Sequence, residues 1–129
     1  MAVQLNILVV EDESFFQKFY VLKLQEQSFL VDLAIDGAEG IQKMTQKKYD
    51  CILLDIIMPK KNGFDVLQYA KDNAIIPLTP IIIFSTLGQD QDIQKALSMG
   101  AAAYANKAFF DFDTLLQKIE IVTNKGMKI

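Results

Sequence analysis

The chain has 129 residues, 51% of them hydrophobic and 22% charged, a balance that suits one globular domain with a sizeable core and excludes a disordered chain. Its 13 lysines stand without a single arginine and its net charge is −3, so no guanidinium fork is available to read bases, and direct binding of nucleic acid is not expected. Histidine is absent, which rules out Ser-His catalysis, histidine-ligated zinc and a phosphohistidine carrier within this chain.

The first strand is expected at Leu5–Val10 (LNILVV), followed by a helix over Ser14–Gln27 whose apolar face carries Phe15, Phe16, Phe19, Leu22 and Leu24. Leu30–Ala34 alternates as a short edge strand. Asp36 then starts a helix, with Glu39 three residues on in the manner of a capping box and Ala38, Ile41 and Met44 at helical spacing. Tyr49–Asp55 is a continuous apolar run closed by a carboxylate, and Gly63–Lys71 reads as a helix with Phe64 and Leu67 inward. Behind the breakers Pro77 and Pro80, Ile81–Ser85 (IIIFS) is the most strand-like segment. Gln89–Met99 is helical up to a C′ glycine, Gly100. Ala102–Ala105 is a short strand, and Asp111 caps a last helix bearing Phe112, Leu115, Leu116, Ile119 and Val122. Five βα units in series imply a parallel sheet with helices on both faces, and the unbroken apolar runs fit strands buried on both sides.

In such sheets ligands bind beyond the carboxyl ends of the strands, and these ends are polar. Glu11 and Asp12 follow the first strand, Asp55 the third, Ser85 and Thr86 the fourth, Asn106 and Lys107 the fifth. If the first and third strands are neighbours, about 4.8 Å apart, three carboxylates converge and need a cation. Mg²⁺ (or Mn²⁺) suits them, because hard ions accept carboxylates, waters and phosphate oxygens together.

Val10-Glu11-Asp12-Glu13, Leu54-Asp55-Ile56-Ile57-Met58-Pro59 with Asn62-Gly63, Ser85-Thr86, Tyr104 and Lys107 together resemble the receiver domains of two-component response regulators, over the whole of residues 1–129. The resemblance implies a flavodoxin-like, doubly wound α/β fold with a five-stranded parallel sheet in the order 2-1-3-4-5. It implies a signalling module rather than an enzyme, in which Asp55 attacks and accepts a phosphoryl group from a sensor histidine kinase or histidine phosphotransfer protein. Glu11, Asp12, Asp55 and the backbone carbonyl of Ile57 would hold the metal, while Ser85 and Lys107 would contact the phosphoryl oxygens. Ser85 and Tyr104 would act as a switch, altering the face made by the fourth helix, fifth strand and fifth helix, where a downstream protein docks.

Three positions depart from the family pattern: Glu11 where Asp is more common, the apolar Ile57 at the site mouth, and Ala108 where proline usually follows the lysine. Two rival readings fare worse. An aspartyl-phosphate phosphatase would usually place a second Asp at the position of Ile57, and a flavin domain would need a phosphate-cradling loop where Glu11-Asp12-Glu13 repels phosphate. No apolar run reaches the roughly 20 residues of a membrane-spanning helix. No basic segment precedes the first strand as in a secretory leader, and one cysteine forms no internal disulfide. A cytoplasmic protein without membrane insertion is expected.

Overall fold

The alternation of apolar runs and amphipathic segments resolves into five strands and five helices. They are β1 (Asn6–Val10), α1 (Ser14–Glu26), β2 (Leu30–Ala34), α2 (Gly37–Gln46), β3 (Cys51–Leu54), α3 (Gly63–Asp72), β4 (Ile81–Ser85), α4 (Asp90–Ser98), β5 (Ala103–Asn106) and α5 (Phe112–Thr123). The structure is a computed structural model that describes residues 4–58, 61–76, 78–85, 90–106 and 112–123. All strand pairings are parallel and the order is β2-β1-β3-β4-β5, as the resemblance implied.

Alternation of side chains between two covered faces explains why the central strands β1, β3 and β4 are almost wholly apolar. Leu8, Val10, Ile52, Leu54, Ile81 and Ile83 point to one face, where they meet Met44, Val66, Leu67 and Ala96 from α2, α3 and α4. Ile7, Val9, Leu53, Ile82 and Phe84 point to the other, where they meet Tyr20 and Leu24 of α1 and Leu115 and Ile119 of α5. Each fully buried aliphatic side chain contributes about 1.5–3 kcal/mol, so the two apolar layers hold the central strands, and hence their carboxyl ends, in fixed register.

The first helix corrects its expected face. Phe15 and Leu22 are 61% and 57% exposed, whereas the buried residues are Tyr20 and Leu24, with Phe16 half-buried above them. Of the expected face, Phe16, Phe19 and Leu24 do turn inward, around an i, i+4 row 16-20-24 that adds Tyr20, while Phe15 and Leu22 do not.

Helix starts follow local chemistry. The Asp36 carboxylate accepts the Glu39 N–H at 2.8 Å, as expected, but the Glu39 carboxylate reaches the N–H of Ile35 and not that of Asp36. At α3, Asn62 and Asp65 form a reciprocal capping box. Gly100 takes φ +108° past the end of α4, the left-handed conformation expected of a C′ glycine. The edge strand β2 carries Asp32, which accepts hydrogen bonds from the Tyr49 hydroxyl at 2.8 Å and from the Lys47 ammonium at 3.0 Å. Charge on an edge strand discourages pairing with another chain. The expected cap Asp111 lies outside the described residues, and among the described residues no helix is long and apolar enough to cross a membrane.

Candidate functional site

The parallel register delivers the acidic residues to one place. Val10 pairs with Leu54, so Glu11 and Asp55 leave adjacent strands side by side. The ladder runs one residue past each strand, with Asp55 N–H donating to the Val10 carbonyl at 3.1 Å and Glu11 N–H to the Ala34 carbonyl at 3.0 Å. β1 and β2 are neighbours on one side and β1 and β3 on the other, which makes this the point where the strand order reverses. Glu11, Asp12 and Asp55 each bring a carboxylate oxygen within 4.8 Å of the others.

The local bonding orients the three acids differently. Glu11 is fully buried, and one of its carboxylate oxygens accepts the Glu13 N–H at 3.0 Å. Its own carbonyl accepts the Gln17 side-chain amide at 2.8 Å, tying the acidic turn to α1. Asp55 is buried, and its Oδ1 accepts the N–H of Ile56 at 2.8 Å, which fixes the rotation of the carboxylate. Asp12 is half-buried, and its Oδ1 has no solvent contact and no hydrogen-bond partner among the described residues. An orphaned buried carboxylate oxygen is costly. Asp12 does not cap the helix that follows it: the N-cap of α1 is Glu13, whose side chain makes no capping bond. A cation coordinated by oxygen satisfies Asp12 Oδ1 and offsets the repulsion among three acids, so this donor set fits Mg²⁺.

Ser85 closes β4 and is buried. The β3–β4 register pairs Leu54 with Ile83, so Ser85 stands beyond Asp55 on the next strand. Tyr104 of β5, paired with Ile83, donates from its hydroxyl to the Ser85 carbonyl at 3.2 Å. Burial, and secondarily the charge of Asp92, raises the Tyr104 phenol above its ordinary pKa. Ile57 is 57% exposed, an apolar side chain just past β3 as its sequence position implied.

The model of the response regulator receiver domain family matches residues 7–120. The chain belongs to that family. Receiver domains are the signalling modules of two-component response regulators and accept a phosphoryl group on an aspartate. The chain is 34% identical over 125 residues to the transcriptional regulatory protein DltR of Streptococcus agalactiae, covering 97% of this chain and 54% of the relative. It thus spans about half the length of the curated relatives it matches. The receiver domain of Francisella response regulator 1452 superposes with a TM-score of 0.87 at 27% identity, covering 95% of this chain and 98% of that one. Response regulator TrrA of Thermotoga maritima, solved in complex with Mg²⁺ and beryllium fluoride, superposes with a TM-score of 0.81 at 28% identity, covering 93% and 99% of the two chains.

Within this receiver domain, Glu11, Asp12 and Asp55 are brought together, and Ser85 and Tyr104 are joined by a hydrogen bond on the neighbouring strands. Lys107 and Ala108 lie outside the described residues. Two features of the site were not foreseen. Tyr20 sits beneath it: the ring makes an edge contact with Phe84 at 4.8 Å between centroids, and the phenol is pushed up to about 12 by burial and then by the charges of Glu11 and Asp55. Its place in the i, i+4 row with Phe16 and Leu24 was the available signal. Gln17, bonded to the Glu11 carbonyl, had none.

Proposed function

We propose that Asp55 is the phosphoryl acceptor of this receiver domain, in a reaction that requires Mg²⁺ or Mn²⁺ held by Glu11, Asp12, Asp55 and the backbone carbonyl of Ile57. The observation that carries this reading is the convergence of three carboxylates within 4.8 Å, one of them with a buried oxygen that has no hydrogen-bond partner among the described residues. The TrrA complex with Mg²⁺ and beryllium fluoride supports the choice of ion.

Asp55 is the nucleophile because its carboxylate ends the strand at the switch point and is held in one rotamer by the Ile56 N–H. A carboxylate oxygen of Asp55 bonds to phosphorus as the bond from phosphorus to a histidine nitrogen breaks, and the imidazole leaves with a proton taken from water. This chain has no histidine, so the donor is a sensor histidine kinase or a histidine phosphotransfer protein. Glu11, pinned by Glu13 N–H, and Asp12 keep the pocket anionic until the ion binds. Bound there, Mg²⁺ supplies the positive charge that lets phosphoryl oxygens enter an acidic pocket. Ser85 contributes its hydroxyl to the phosphoryl oxygens, and Lys107 its ammonium.

The acquired group brings about −1.5 to −2 charges. Its pull on Ser85 alters the strand end to which Tyr104 is bonded, and the face of α4, β5 and α5 presents a changed surface to a downstream protein. The chain acts as one receiver domain over residues 1–129, in the cytoplasm, catalysing only its own aspartyl phosphorylation and dephosphorylation. Intact-mass spectrometry after incubation with a small phosphoryl donor tests the reading. One added phosphoryl group is expected with Mg²⁺, none with EDTA, and none in Asp55→Asn; addition that persists in the variant refutes the acceptor.

A further inference from the structure

Two glycines grip the segment that carries the acceptor. At its far end, a Cβ on Gly63 would lie 2.5 Å from the Asp55 carbonyl oxygen and 2.7 Å from the Ile56 Cα, and the Gly63 N–H donates to the Ile56 carbonyl at 2.7 Å. From outside the loop, α2 approaches Lys61 so closely that a Cβ on Gly37 would collide with the Lys61 carbonyl oxygen, with the carbonyl carbon 2.6 Å away and the Lys61 Cβ 2.8 Å away. All but the Lys61 Cβ are backbone atoms, which cannot swing aside as the far end of a side chain does, and a Cβ moves only with its backbone.

Neither wall of this contact is free to retreat. The first turn of α2 is fixed by Asp36 accepting from Glu39 and by the Glu39 carboxylate accepting from Ile35. One turn on, Gly40 rests on Val10, whose methyl groups would stand 3.0 and 3.1 Å from a Cβ there. On the other side, the Asn62–Asp65 capping box anchors the residue after Lys61 to α3. The start of α2 is therefore wedged between Val10, which precedes Glu11, and Lys61, which follows Asp55 and Ile57 along the loop.

We propose that Gly37 is a positioning residue for the acceptor loop: its bare Cα lets α2 seat against Lys61, and this contact sets where the Asp55 carboxylate and Ile57 carbonyl stand relative to Glu11 and Asp12. The inference rests on the metal-binding reading above. Gly37 touches neither ion nor phosphoryl group and acts only through the loop backbone. A methyl group there must push Lys61 outward, and the short tether through Asn62, Gly63 and Ile56 carries the shift to Asp55.

The test compares Gly37→Ala with Gly40→Ala, which makes the same chemical change in the same helix but meets the Val10 methyl groups at 3.0 and 3.1 Å, a contact relieved by a few tenths of an ångström, instead of backbone. Two readouts are taken well below the unfolding temperature: backbone amide shifts of the metal-free protein, and Mg²⁺ affinity by titration with the ion alone. Gly37→Ala is expected to move the amides of Asp55, Ile56, Ile57 and Lys61 and to weaken Mg²⁺ binding by about 10- to 100-fold, the usual effect of disturbing the groups that orient metal ligands. Gly40→Ala is expected to move Val10 and keep wild-type affinity. Unmoved loop amides with wild-type affinity in Gly37→Ala, or an equal loss in Gly40→Ala, overturns the proposal. Should Gly37→Ala not fold, Lys61→Gly carries the test from the loop side. Freeing that backbone is expected to weaken Mg²⁺ about two- to fivefold and shift the same amides, and an unchanged loop and affinity overturns the proposal. A wild-type protein that fails to bind Mg²⁺ strikes the functional reading instead, while the metal-free amide shifts still judge the clamp.

Discussion

Crowding three carboxylates costs stability when no metal is present, and Asp55→Asn measures that cost. The carboxylate oxygens of Glu11, Asp12 and Asp55 lie within 4.8 Å of one another, and at that separation two unit charges repel by about 3.5 kcal/mol at an effective dielectric near 20. Charge is spread over both oxygens of each group, and Asp12 is half-buried and partly screened, so a net relief of about 1–3 kcal/mol is expected for the variant. Asparagine keeps an Oδ1 to accept the Ile56 N–H, so the substitution removes charge with little change of shape. In urea with EDTA, Asp55→Asn should therefore be more stable than wild type, with a midpoint of thermal unfolding raised by roughly 4–12 °C. Saturating Mg²⁺ should shrink or reverse the difference. At 100 times its dissociation constant a ligand stabilises the wild type by about 2.7 kcal/mol, whereas the variant, lacking one of the proposed metal ligands, should gain much less. Far-ultraviolet circular dichroism follows both transitions. A variant less stable than wild type in EDTA, or an equal Mg²⁺ gain in the two proteins, refutes the reasoning.

Three further outcomes are expected. Asp12→Asn should lower Mg²⁺ affinity by at least about tenfold in isothermal titration; unchanged affinity removes Asp12 from the ligand set. Tyr20 stays protonated in the folded protein up to about 12, while the unfolded phenol ionises near 10. The stability held by neutral Tyr20 is thus complete below pH 10 and lost between about 10 and 12, with a ceiling of about 2–3 kcal/mol, and Tyr20→Phe should flatten that limb of the pH–stability curve; coincident alkaline limbs contradict this. The hydrogen bond from Tyr49 and the ammonium of Lys47 lower the Asp32 pKa against the opposing effect of burial. Its contribution is present above the ordinary carboxylate range and fades as pH falls through the lowered value. Asp32→Asn should soften the acid limb of unfolding, and an identical acid midpoint counts against the pairing.

The strands were legible because apolar runs such as Ile81–Phe84 admit few placements other than a sheet covered on both faces, whereas their order came from the resemblance to receiver domains. The acidic site was legible for a related reason: carboxylates that directly follow such runs have nowhere to go but the carboxyl edge. The face of α1 was harder to read. The expected face of Phe15, Phe16, Phe19, Leu22 and Leu24 was right for Phe16, Phe19 and Leu24, yet Phe15 and Leu22 are exposed and the buried Tyr20 was left out of it. Apolar residues on the surface of a domain are common, so composition misled where a single i, i+4 row decided. The capping box at Asn62 was readable from Asn62 and Asp65 and was overlooked. Gly37 could not have been read from the sequence, because its partner Lys61 belongs to a different βα unit and the contact exists only once α2 has docked beside Val10.

The most direct test asks which side chain carries the phosphoryl group. Borohydride reduces an aspartyl phosphate to homoserine, so the protein is phosphorylated with a small donor, reduced, digested and sequenced by tandem mass spectrometry. Homoserine at position 55, present with Mg²⁺ and absent with EDTA, is the expected result. Reduction product at position 12 instead of 55, or labelling at 55 that ignores the metal, would contradict a site in which neighbouring acids hold the ion that readies Asp55.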